Sequence, residues 1–225
     1  MEFEEIIDFF EENQNKENIA GMNRFKIDSD KIYGIKMDVL RKLAKKIGKD
    51  HDLALKLWDH GYHESRILAT IIEEKDEIDE DQLDEWVNDF GTWDLCDQAC
   101  INLLSNSPLA ISKIPEWASS EKEFVKRTAF SLIAVIAVHD KKSKDSYFES
   151  FFPIIKKACD DNRNFVKKAV NWALRSIGKR NKNLNKEAIK LAKEISELDY
   201  KAAKWIAGDA LIELQSKEVR NRLDI

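Results

Sequence analysis

Phe124-Val125-Lys126-Arg127 and Phe165-Val166-Lys167-Lys168 carry one pattern twice, 41 residues apart. Tyr200-Lys201-Ala202-Ala203-Lys204 follows 35 residues after the second block. Each block opens a helix with an aromatic residue, continues with cations and runs on into small and apolar residues. One pair of amphipathic helices cannot bury its apolar stripe alone, so units that return in this way must stack on each other.

Helical periodicity extends outward from these blocks in both directions. Met37 to Ile47 places Leu40, Leu43, Ala44 and Ile47 on one face, and Leu53 to Trp58 continues the pattern. Ser65 to Ile72 carries Ile67, Leu68 and Ile71; Leu83, Trp86 and Val87 mark a further helix, and Leu95, Ala99 and Leu103 another. Ser105-Asn106-Ser107-Pro108 is a break. Long helices are then expected at about 121–139, 144–159, 163–178, 184–197 and 199–215. Short joints make neighbours antiparallel, and a period of about 35–47 residues with two helices per unit is the signature of HEAT or armadillo repeats. The expected fold is therefore all-α, an α-α superhelix of HEAT-like antiparallel helix pairs with a concave groove. It forms a single domain over residues 1–225, with no linker dividing it. A non-repeating helical bundle would share the same periodicity.

Composition agrees. The chain of 225 residues is 43% hydrophobic and 35% charged, with only 7 Gly and 3 Pro, too few of the turn-forming residues for an all-β fold. Met1 leads straight into Glu2, Glu4 and Glu5, unlike a secretory leader. The apolar run from Ala129 to Val138 is too short to cross a bilayer. Three cysteines, Cys96, Cys100 and Cys159, form no framework and read as buried small hydrophobes in a reducing compartment. These features predict a cytoplasmic protein with no membrane partner.

Net charge is −5, yet it is unevenly spread. Residues 1–112 hold 13 basic and 26 acidic side chains, whereas residues 113–182 hold 16 basic and 8 acidic. The middle stretch is a cationic surface for a polyanion or, more plainly, a solvated helix face.

Three constellations carry chemistry. In Thr92-Trp93-Asp94-Leu95-Cys96-Asp97, Trp93 and Asp97 stand four apart and share a helix face, with Leu95 and Ala99 on the buried one. The structural alternative is a half-buried Trp beside an acid that complements the helix dipole. Lys168, Trp172 and Arg175 fall along one face of the 163–178 helix; the alternative there is an indole at a packing seam with snorkelling cations. Lys126-Arg127-Thr128 takes the equivalent place one repeat earlier, and Arg can hold a phosphate through two hydrogen bonds. A solenoid would line up one carboxylate, two indoles and an arginine. Alkylated DNA is a ligand anionic along its length and locally cationic. An indole face attracts a cationic alkylpurine, and a carboxylate stabilises the positive charge that grows on deoxyribose as the glycosidic bond breaks. There is no Gly-rich phosphate loop, no Cys-x-x-Cys and no His-Glu-x-x-His, and His51, His60, His63 and His139 are scattered. No metal and no cofactor are expected.

At these residues the chain resembles the AlkD-like DNA alkylation repair glycosylases, a HEAT-repeat family. Tyr33-Gly34-Ile35-Lys36 and Leu40-Arg41-Lys42-Leu43-Ala44-Lys45 look like its N-terminal pattern, and Trp93-Asp94-Leu95-Cys96-Asp97 looks like its central Trp-Asp-x-x-Asp motif. Lys126-Arg127-Thr128-Ala129 and Lys167-Lys168-Ala169-Val170-Asn171-Trp172-Ala173-Leu174-Arg175 resemble its later helices, so the similarity spans roughly residues 20–215. The resemblance implies a glycosylase that excises cationic N3- or N7-alkylated purines from double-stranded DNA without burying the base in a tight pocket. It makes Asp97 the catalytic carboxylate. Trp93 and Trp172 become contacts to the lesion's deoxyribose and backbone, and Arg127 a phosphate ligand with Lys126, Lys167, Lys168 and Arg175 around it. The family's N-terminal aromatic falls nearest to Phe25. The other expectation is a non-catalytic HEAT-like scaffold that binds DNA or a protein partner.

Overall fold

The computed structural model describes residues 1–27 and 31–225, and every regular element among them is helical. The chain forms two compact units, Met1–Pro108 and Leu109–Ile225. The first contains α1 (Phe3–Glu12), α2 (Lys16–Arg24), α3 (Met37–Ile47), α4 (His51–His60), α5 (His63–Ile72), α6 (Glu80–Asn88) and α7 (Trp93–Asn102), then a 3-10 turn at Leu104–Asn106. α8 (Pro108–Ser112) leads into the second, which holds α9 (Ile114–Ala118), α10 (Glu123–His139), α11 (Asp145–Glu149), α12 (Phe152–Lys157), α13 (Asn164–Gly178), α14 (Lys182–Ser196), α15 (Lys201–Leu214) and α16 (Lys217–Leu223).

In the first unit α4 turns back into α5 at Gly61, which sits in the left-handed region at φ +77° and ends α4 as a Cβ-bearing residue could not without strain. The core gathers Phe10, Leu40, Leu57 and Leu68, all fully buried, with Trp58 and Trp86 stacked 4.2 Å apart. Cross-links recur at one spacing. The Tyr33 amide bonds Glu64, and His63 bonds Asp94, each 31 residues on; Asn102 bonds Thr70 over 32. α3, α5 and α7 therefore start side by side. This repeat is shorter than the 35–47 residues that the sequence pattern predicts.

The second unit keeps the longer period. Arg127 Nη1 donates to the Phe165 carbonyl at 2.8 Å, and Asn171 Nδ2 donates to Asp209 at 2.6 Å, both across 38 residues. At the far end Arg180 Nη1 donates to the Ala137 carbonyl, so α10 and α13 run parallel in register. α10 is buried from Arg127 to Ala137 without interruption. That explains the apolar run that begins at Ala129: it is a central helix, covered on all sides. Among the described residues no helix is long and apolar enough to cross a membrane. Gly178 lets α13 approach its neighbours closely, because a Cβ there would stand 2.7 Å from a Leu214 methyl and 2.8 Å from Ala188 Cβ.

One expected helix is broken. Residues 144–159 form α11, α12 and a 3-10 turn at Ala158–Asp160 instead of one rod. Pro153 is the cause: it lies in the first turn of α12, where its missing N–H is harmless, and it would clash inside a continuous helix. The cysteines are fully buried, as expected of small hydrophobes, and burial pushes the Cys159 thiol up to about 12.

Candidate functional site

In the first unit the site is built on the aligned starts of α3, α5 and α7. Glu64, 1% exposed, is the centre of the construction. Its Oε2 accepts the Tyr33 amide at 2.9 Å, and its Oε1 accepts those of Gly34 at 2.6 Å and Ile35 at 3.1 Å. Three successive amides that have no helical partner are thereby satisfied by one carboxylate. Gly34 is at φ +77°, and a Cβ would lie 2.3 Å from the Asn15 carbonyl oxygen, so Tyr33-Gly34-Ile35-Lys36 is a backbone motif.

The next residue back, His63, shares a hydrogen bond between Nε2 and Asp94 Oδ2 at 2.8 Å. His63 is buried, and the bond ties the first turn of α7 to that of α5. Trp93, beside Asp94, is half-buried, and its Nε1 donates to the Phe25 carbonyl at 2.9 Å. Phe25 closes α2 and is 70% exposed. A cleft of about 490 Å³ opens here, walled by Met22, Phe25, Ile27, Trp93, His63 and Asp94 among others. Asp97 lies one turn beyond Trp93 on the same side of α7 and is half-buried, while Leu95 and Ala99 are buried on the opposite stripe as the spacing predicts. The structure thus brings Phe25 and Trp93 together at the cleft, whereas Asp97, one turn along α7, is not among the residues that wall it. Sequence reasoning missed His63, Glu64 and Asp94. The signal was present in the spacing: Tyr33 to Glu64 and His63 to Asp94 both span 31 residues.

In the second unit Arg127 is buried, and its guanidinium holds the start of α13 through the Phe165 carbonyl. Phe124 and Phe165 pack 5.5 Å apart beside it. Lys126 pairs with Asp161 at 3.2 Å. Lys167 lies 5.2 Å over the Trp205 ring. Lys168 is exposed on α13 and makes no ion pair among the described residues; Trp172, one turn on, is half-buried. Arg175 pairs with Glu213 and, at 3.6 Å, with Asp209. Structural partners therefore engage four of the five cations, and Lys168 faces solvent.

Asp161 supplies a pH test of this local order. Burial pushes its carboxyl up, but hydrogen bonds from the Arg163 side chain and backbone and from Lys126 outweigh that and hold it at about 2. A depressed carboxylate stabilises the fold above its unfolded value and loses that contribution as pH falls through the folded one. Thermal stability is expected to drop between about pH 4 and pH 2, and Asp161→Asn should flatten that limb of the profile. Parallel profiles for the two proteins would show that the pairing contributes nothing.

No group of three or more His, Cys, Asp or Glu among the described residues is placed to hold a metal ion. The model of the DNA alkylation repair enzyme family matches residues 6–217. The chain belongs to this family. The chain is also similar to a solved structure described as a new family of proteins related to the HEAT-like repeat DNA glycosylases with affinity for branched DNA structures. That match has 19% identity and a TM-score of 0.79, covering 99% of this chain and 96% of that one. It establishes the HEAT-like fold for this family member. A designed armadillo repeat protein in complex with a (KR)4 peptide matches at 18% identity and a TM-score of 0.38, over 83% of this chain and 79% of that one. Nothing among the curated proteins matches this chain's sequence.

Proposed function

We propose that the protein is a DNA glycosylase that hydrolyses the N-glycosidic bond of N3- and N7-alkylated purines in duplex DNA. On this reading residues 1–225 act as one domain and as a monomer. The observation that carries the proposal is that Trp93, held to the Phe25 carbonyl at the wall of the cleft, shares one face of α7 with Asp97, one turn on, and that both are partly open to solvent. Asp97 stabilises the positive charge on deoxyribose and positions the attacking water. Trp93 and Phe25 offer aromatic faces to a cationic nucleotide, worth roughly 0.5–2 kcal/mol each. No strong general acid is needed, because an alkylated purine is already a good leaving group. On the second unit, Trp172 and Lys168 contact the DNA backbone, with Arg127, Lys126, Lys167 and Arg175 as the cationic ground beneath them.

A second reading is a scaffold that holds DNA or a protein without cleaving the bond. The engagement of Lys126, Arg127 and Arg175 by the protein's own groups favours it. Release of free methylated base from methylated duplex DNA separates the two, with linear and branched duplexes both assayed for binding. The glycosylase releases base; the scaffold binds and releases none. Lys168→Ala is expected to weaken duplex binding and to lower the slope of log affinity against log salt by about 0.9, the mark of one lost phosphate contact. An unchanged slope would remove Lys168 from the interface.

A further inference from the structure

A cavity of about 660 Å³ lies within the Leu109–Ile225 unit, at the C-terminal ends of α10 and α13. Four cations line it, Lys141, Lys179, Arg180 and Arg222, against one carboxylate, Asp145. That carboxylate is already used: Oδ1 accepts from Asn181 Nδ2 at 2.7 Å and Oδ2 from Asn183 Nδ2 at 2.9 Å. Among the described residues only Lys179 of the four cations forms an ion pair, with Glu213.

Helix capping accounts for part of the cluster. Lys141 donates to the Val138 carbonyl, Arg180 to that of Ala137 and Arg222 to that of Lys179, so each sits where the end of a helix attracts positive charge. Capping uses one donor of each group, whereas an ammonium has three and a guanidinium five. Two wall atoms, Ser176 Oγ and Arg180 Nε, are buried without a hydrogen-bond partner, and Ser176 is only 3% exposed. Arg180 is also fixed in advance, its guanidinium 3.7 Å over the Phe148 ring. Burial works against the Arg180 charge, and Asp140 and Asp145 offset this only in part. Buried donors and cations without carboxylates are costly, and an anion relieves that cost.

We propose that this cavity binds a phosphate group, with the Arg180 guanidinium as its fixed fork, Ser176 as a hydroxyl donor and Lys141 and Arg222 closing over it. A tetrahedral polyanion can meet donors from several directions at once, as these residues require. The group is either free inorganic phosphate or pyrophosphate, or a phosphate of a nucleic-acid backbone. The cavity lies wholly within the second unit. Its wall begins at Ala137, ten residues and roughly 15 Å along α10 from Arg127.

The test is a titration of the full chain with pyrophosphate at constant ionic strength, read by thermal denaturation and by amide NMR shifts. A saturable rise in melting temperature is expected, with shifts concentrated at residues 137–145, 176–181 and 222. The double variant Lys141→Gln/Arg222→Gln alters two exposed side chains and so should fold normally; it is expected to lose affinity at least tenfold. No saturable shift, or equal affinity in the double variant, overturns the proposal. With binding established, a competition against undamaged duplex assigns the source. A pyrophosphate-sensitive duplex affinity marks a backbone phosphate as the ligand, and an insensitive one marks the free anion.

Discussion

Asp97→Asn is expected to lower release of methylated base from methylated duplex DNA by at least about 100-fold, close to the uncatalysed rate. The substitution keeps the shape of the side chain and removes one negative charge. As the glycosidic bond lengthens, positive charge builds on the deoxyribose. A carboxylate about 4 Å away is worth about 4 kcal/mol at the effective dielectric of a protein surface. Each 1.4 kcal/mol is tenfold in rate, so even a loss of about 3 kcal/mol reaches the expected factor. Asp97 is half-buried, which leaves it reachable by water and substrate and makes the amide tolerable to the fold. The melting temperature and the affinity for undamaged duplex should therefore stay close to those of the parent protein. Three quantities are measured together: base release, melting temperature and duplex affinity. A parent protein that releases base, and a variant that releases it at the same rate, would end the assignment of Asp97 as the catalytic carboxylate.

The parts of this architecture written in side-chain periodicity could be read in advance. The repeat of Phe124-Val125-Lys126-Arg127 in Phe165-Val166-Lys167-Lys168 predicts the stacking of α10 on α13, because equivalent residues of stacked helices meet at the repeat spacing. Phe124 does lie against Phe165. Trp93 and Asp97 could be paired because four residues make one helical turn. The link from Trp93 to Phe25 could not be seen, since it runs through a backbone carbonyl that no side-chain pattern encodes. In the sequence His63 is one of four scattered histidines. Its partnership with Asp94 depends on α5 and α7 starting side by side, a property of the shorter repeat in the first unit. The charge balance was a poorer guide. It located an excess of cations in residues 113–182 but could not say which were consumed internally, as Lys126 is by Asp161 and Arg175 by Glu213.

Glu64→Gln is expected to destabilise the protein by about 3 kcal/mol or more. The carboxylate has two oxygens that both accept, and here both are used: one by Tyr33, the other by Gly34 and Ile35. A glutamine keeps one acceptor and turns the other into an N–H donor, which would face an amide N–H and leave it buried without a partner. Charge-assisted bonds are also roughly twice as strong as neutral ones, so the surviving contacts weaken. Water cannot repair the loss, because Glu64 is 1% exposed. A destabilisation of this size should lower the melting temperature by about 6–12 °C. The damage should be local first: amide exchange at Tyr33, Gly34 and Ile35 should speed up before exchange in α10 does. Gly34, Ile35 and Lys36 also line the cleft beside Trp93, so base release should fall together with the protection of these amides. A melting temperature within about 2 °C of the parent, with those amides still protected, would show that Glu64 does not hold the start of α3 in place.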